Sequence, residues 1–107
     1  MRRGAKFEEL AVKHLESLGY RIVRKNYHCG FGEIDIVALD GDSLVFVEVK
    51  GGKGAELGDP VERVTPVKLR RMTQCLEKFL QEHPAEDYRV ELVVVRGTQV
   101  EHIKDLI

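Results

Sequence analysis

The chain predicts a small α/β domain, a mixed β-sheet flanked by two helices in one unit spanning residues 1–107. Three features of the sequence carry that expectation. Two stretches with helical apolar spacing stand far apart in the chain. Two β-rich runs between them are joined by a tight-turn string. A strongly apolar run at 90–95, which includes Glu91, follows the second helical stretch.

The elements follow in order. Between about 5 and 18, Phe7, Leu10, Ala11, Leu15 and Leu18 recur at helical spacing around His14, and Gly19 supplies the stop. Arg21-Ile22-Val23-Arg24 leads into a strand, and 27–32 reads as a loop. The runs at 34–39 and 44–49 flank Asp40-Gly41-Asp42-Ser43, a strong hairpin signal. From Gly51 to Asp59 glycine is frequent and apolar residues are scarce, which predicts a mobile loop. Thr65-Pro66 supplies an N-cap and a first-turn proline. The second helix then runs to about His83 with Leu69, Met72, Leu76, Phe79 and Leu80 inward, and Pro84 ends it. The 90–95 run reads as a buried strand. Gly97-Thr98 turns the chain into a short last strand or tail, so the order is α-β-β-β-α-β-β.

Composition narrows the function classes. With 43% apolar and 33% charged residues the chain reads as globular, and it contains no run of the ~20 apolar residues a membrane span requires. The charged start, Met1 to Lys6, is not followed by an apolar stretch, so no secretory signal is expected and the cytoplasm is the default location. Cys29 and Cys75 are too few and too far apart for a disulfide framework and read as two reduced, buried thiols. A net charge of −1 excludes a bulk polycation. The distribution is informative: basic residues crowd the first quarter and recur at Arg63, Lys68, Arg70 and Arg71. Between them lies an acidic middle containing Glu33, Asp35 and Glu48. A carboxylate centre between basic segments suits a metal site approached by a polyanion.

Strand parity sharpens this. Glu48 and Lys50 point the same way as Phe46 and Leu44, and Glu33, Asp35 and Val37 share a face on the preceding strand. A two-residue turn at Gly41-Asp42 makes the numbers of facing residues sum to 83, which sets Asp35 opposite Glu48. Directly opposed residues have Cβ atoms about 4.5–5.5 Å apart, close enough to share a cation. Like charges so placed are destabilising unless compensated, and carboxylate oxygens suit Mg²⁺ or Mn²⁺. Lys50 then lies at the rim, able to neutralise a phosphate oxygen or orient water. Glu8 falls at the edge of the first helix's apolar stripe and can reach the adjacent sheet, whereas Glu9 and Glu16 face solvent. The competing readings are a helix-dipole role for Glu8 and simple cross-strand ion pairs for Lys50.

Gly4-Ala5-Lys6-Phe7-Glu8, Gly32-Glu33-Ile34-Asp35 and Phe46-Val47-Glu48-Val49-Lys50 together resemble the YraN-type family of small bacterial proteins. That family belongs to the PD-(D/E)XK, restriction endonuclease-like superfamily and is similar to archaeal-type Holliday-junction resolvases. The resemblance covers nearly the whole chain. It implies a restriction endonuclease-like α-β-β-β-α-β core, Asp35 and Glu48 as metal ligands, Lys50 as catalytic lysine and Glu8 as the helix carboxylate completing the site. Lys68 and Arg71 match basic positions the family carries on its second long helix. This chain departs from the family at Gly51-Gly52-Lys53, where many members carry an arginine, and at Glu91, where an aspartate is common.

The resulting expectation is a structure-selective, Mg²⁺-dependent endonuclease acting on nucleic-acid phosphodiesters, DNA in the first instance. Asp35, Glu48 and the Val49 carbonyl would hold the metal. Arg2, Arg3, Lys6, Lys53, Lys68 and Arg71 would grip phosphates. Symmetric cutting of two strands would call for a homodimer. The alternatives are a non-catalytic nucleic-acid-binding module that keeps the nuclease fold and a protein-interaction domain.

Overall fold

The computed structural model describes residues 5–30, 32–52 and 65–104. Its elements are helix α1 (Ala5–Ser17), strands β1 (Arg21–His28), β2 (Glu33–Asp40) and β3 (Ser43–Gly52), helix α2 (Pro66–Glu82), and strands β4 (Tyr88–Arg96) and β5 (Gln99–Ile103). The five strands form one sheet in sequential order, β1-β2-β3-β4-β5. The β3–β4 pair is parallel and the other three are antiparallel, so α2 serves as the crossover. This is the mixed α/β architecture expected, compatible with a restriction endonuclease-like core. Among the described residues no helix is long and apolar enough to cross a membrane.

Local chemistry accounts for the elements. Thr65 caps α2 by accepting from the Lys68 backbone N–H at 3.2 Å, and Pro66 opens its first turn. Gly41 takes a φ of +61° at the first position of the β2–β3 turn, which favours a residue without Cβ. That turn fixes the register Asp40↔Ser43 through Ile36↔Val47.

The sheet divides the core in two. Val37, Leu44, Phe46 and Val90 pack with Met72, Leu76 and Phe79 beneath α2. Ile36, Ala38, Val45, Val47, Val93 and Val95 pack with Ala11 and Leu15 beneath α1. Glu91 lies fully buried on the α1 side, where an uncompensated carboxylate would be costly. It accepts from the Tyr20 hydroxyl at 3.0 Å and from Arg89 Nε at 3.2 Å, and His102 Nε2 lies 2.8 Å away. A carboxylate only accepts, so His102 Nε2 donates to it, and His102 Nδ1 lies 3.2 Å from His14 Nε2. His14 is thus a satisfied helix histidine. Glu91 ties Tyr20 to β4 and β5 and, through His102, reaches His14 on α1.

Four details differ from the sequence expectations. Tyr27 and His28 continue β1 rather than starting a loop, because Tyr27 finds core contacts with Phe79. β3 continues through Gly51 and Gly52, carried by its pairing with β4; the rest of the expected loop lies outside the described residues. Leu18 is 47% exposed, since α1 ends before it. Cys29 and Cys75 form a disulfide rather than two thiols, because α2 folds back over the start of β2 and brings their Cα atoms to 5.3 Å across a separation of 46 residues.

That cross-link closes a long loop, so reduction is expected to destabilise the fold by about 2–4 kcal/mol. Urea denaturation with and without dithiothreitol measures the difference, and Cys75→Ser should abolish it. Equal stability in both conditions would contradict the cross-link.

Candidate active site

The site begins where two strands stop pairing. The β2–β3 ladder ends at Ile36↔Val47, one position short of Asp35 and Glu48. On the other side, the β1–β2 pairing passes from Lys25↔Ile36 to Tyr27↔Ile34 and skips Asp35, opposite Asn26 with its φ of +54°. Ile34 packs with the cluster beneath α2, although regular alternation would set it with Ile36 beneath α1. β2 therefore turns at Asp35, and the carboxylate enters the fork between strands. There its Oδ2 accepts from the Val49 backbone N–H at 2.8 Å. A strand residue directs N–H and C=O to the same edge, so the Val49 carbonyl faces the fork too.

The fork explains how a residue from the opposite helix joins. Carboxylate oxygens of Glu8, Glu33 and Asp35 all lie within 4.8 Å of one another. Glu8 is carried there by the first turn of α1, whose neighbour Phe7 lies directly on β3 at Gly51. A Cβ on Gly51 would be driven into the Phe7 ring, so only glycine allows this approach. Glu48, 6% exposed, comes from β3 on the α2 side. Its Oε1 lies 3.2 Å from Lys50 Nζ and 2.5 Å from Lys68 Nζ.

The predicted pair is thereby modified. Asp35 and Glu48 are close enough to repel, yet the ladder ends short of them, and the candidate ligand atoms that gather among the described residues are those of Glu8, Glu33 and Asp35. Glu33 was legible in part, since parity already set it on the face of Asp35. Lys68, expected among the phosphate contacts, instead reaches the carboxylates directly. Glu33, Asp35, Glu48, Lys68 and Arg71 line one cleft of about 520 Å³. Glu8 also borders a second hollow of about 350 Å³ beside β1. Lys6 is exposed on the first turn of α1. Arg2, Arg3 and Lys53 lie outside the described residues.

The electrostatics follow. Burial and the negative charges of Glu48, Glu8 and Glu33 raise the Asp35 carboxyl from 3.8 to about 7, against the Val49 N–H that favours its ionised form. Burial and the nearby Lys68 ammonium pull Lys50 below its ordinary value, outweighing Glu48. Burial also works against Lys68, but its bond to Glu48 and the charges of Glu48 and Asp35 hold it above its ordinary value.

These features define a mixed α/β domain with an acidic cluster at forked strands. The sequence from residue 7 to 95 matches the model of the uncharacterised protein family UPF0102, and the chain belongs to that family. It is 36% identical over 105 residues to a UPF0102 protein of Sulfurihydrogenibium sp. (strain YO3AOP1), covering 96% of this chain and 91% of that one. A UPF0102 protein of Arthrobacter sp. (strain FB24) is 44% identical over 108 residues, covering 94% and 92%. One of Syntrophus aciditrophicus (strain SB) is 40% identical over 111 residues, covering 98% and 87%.

Two expectations arise here. A carboxyl raised in the folded state holds a proton that the unfolded chain has released, so stability is lost as pH rises from about 4 to about 7. Asp35→Asn keeps an oxygen for the Val49 N–H and removes the charge. In the presence of chelator it should stabilise the protein at pH 8 by on the order of 1–3 kcal/mol, and hardly at pH 4. Urea titrations across that range decide the matter; an unchanged pH slope in the variant refutes it. Gly51→Ala should cost about 1–3 kcal/mol by overpacking against Phe7. Phe7→Leu in the same chain should recover part of that loss in thermal melts, and simple additivity of the two changes would contradict the contact.

Proposed function

We propose that this protein is a metal-dependent endonuclease of the PD-(D/E)XK superfamily, similar to Holliday-junction resolvases, hydrolysing nucleic-acid phosphodiesters with a preference for structured DNA. The observation that carries this reading is the Asp35 carboxylate, raised to about 7 among Glu48, Glu8 and Glu33 in the fork with two ammonium groups alongside. Purely structural carboxylates are normally matched by donors. Asp35, half-buried beside three other acids, is held by the neutral Val49 N–H, and a hard divalent cation on an all-oxygen donor set would offset its charge.

The residues suit such an ion. Glu8, Glu33 and Asp35 offer oxygens within 4.8 Å of one another, Glu48 lines the same cleft as Glu33 and Asp35, and the Val49 carbonyl faces the fork beside Asp35. When bound, Mg²⁺ or Mn²⁺ supplies Lewis-acid polarisation of the phosphate and a more acidic water. Asp35 fixes the position of the ligand set through its bond to β3. Lys50, held below its ordinary pKa, is suited to orient the attacking water and to offset charge developing on the phosphate oxygens. Arg71 and Lys6 offer phosphate contacts that carry no sequence information, so affinity should fall with salt. The proposed location is the cytoplasm, and the proposed partner is nucleic acid, with a homodimer where both strands of a symmetric substrate are cut.

Incubation of the protein with branched, flapped and single-stranded DNA and Mg²⁺ or Mn²⁺ should give cleavage that chelator abolishes. Lys50→Ala and Asp35→Asn should each reduce the rate by about 10²-fold or more. Variants that cut as well as the wild type would refute the site. DNA binding without turnover, indifferent to chelator, would favour a non-catalytic binding module.

A further inference from the structure

Lys68 was expected among the residues of the second helix that grip phosphate. Its ammonium instead lies 2.5 Å from Glu48 Oε1, closer than Lys50 at 3.2 Å on the same oxygen. Two cations thus crowd one carboxylate oxygen, while Asp35 and Glu33 line the same cleft and Glu8 lies within reach of both. The two lysines differ in their freedom to leave. Lys50 is fixed by β3, two residues beyond Glu48, and its backbone pairs with β4 at Val94. Lys68 stands in the first turn of α2, capped by Thr65, and its side chain borders the open cleft beside Arg71.

We propose that Lys68 is an internal cation that neutralises Glu48 until a divalent metal ion enters, and that the ion displaces it into the cleft. This rests on the reading of the carboxylates as a metal site. The reason is competition for one carboxylate. An oxygen held at 2.5 Å by an ammonium is poorly available as a metal ligand, and an ammonium beside a dication is repelled. Metal entry and the Lys68–Glu48 ion pair therefore exclude each other. Release delivers a flexible point charge next to Arg71, on the side from which a phosphate would approach. Lys68 is in this sense a positioning residue that keeps Glu48 in place before the ion arrives.

The test uses Mn²⁺ alone, without nucleic acid, followed by the electron paramagnetic resonance of free ion. Lys68→Met should bind Mn²⁺ at least about threefold more tightly than wild type, while Lys68→Arg, which keeps the charge, should not. In a Glu48→Gln background the same Lys68→Met change should have little effect, because the competition runs through Glu48. A second measurement needs no variant: acetylation of the wild-type Lys68 amine by an N-hydroxysuccinimide ester, read by mass spectrometry, should rise when Mn²⁺ saturates the site. Unchanged or weaker Mn²⁺ binding by folded Lys68→Met, or acetylation unaffected by Mn²⁺, overturns this inference and leaves the metal site standing. Failure of wild type and variants alike to bind Mn²⁺ overturns both.

Discussion

The hydrogen bond from the Val49 N–H to the Asp35 carboxylate is the contact on which the site depends. In a regular hairpin that N–H would be bonded by the neighbouring backbone. Here the ladder has ended and a side chain takes over the donor, so the two strands part without leaving a buried amide unsatisfied. The parting lets Glu8 reach Asp35 from the α1 side of the sheet while Glu48 stays on the α2 side. A continued ladder would have closed the sheet between them.

Charge balance is the second constraint. Glu8, Glu33, Asp35 and Glu48 meet near two lysines, and the uneven sharing of those lysines separates Glu48 from Asp35. Glu48 takes both ammonium groups and Asp35 takes a neutral N–H, so burial and the neighbouring carboxylates raise the Asp35 carboxyl to about 7. A group so poised near neutral pH is what a cation-binding or proton-handling site requires. The opposite solution is seen at Glu91, where Tyr20, Arg89 and His102 satisfy a fully buried carboxylate. One acid is completed by its neighbours and ties Tyr20 to β4 and β5; the other sits among like charges in the cleft.

Rigidity of the surroundings supports that reading. Phe7 against Gly51 pins the first turn of α1 beside β3, and the Cys29–Cys75 link ties the segment before β2 to α2. The elements that carry Glu8, Glu33 and Lys68 are therefore braced by packing or by a covalent bond. Such bracing lets like charges remain close instead of relaxing apart.

Much of this was legible in the residues. The periodicity of α1 and α2, the Thr65-Pro66 start and the two-residue turn at Gly41-Asp42 are set by local rules, and they determined the elements and the hairpin register up to Ile36↔Val47. Strand parity likewise set Glu48 and Lys50 on one face. The tertiary structure alone decided the rest. Where the ladder ends, which ammonium Glu48 receives, that Cys29 meets Cys75 and that Gly51 lies under Phe7 are all consequences of α1 and α2 crossing opposite faces of the sheet. Local pattern reports which way a side chain points. The energy of these contacts comes from residues far apart in the chain, whose distances only the packed molecule sets.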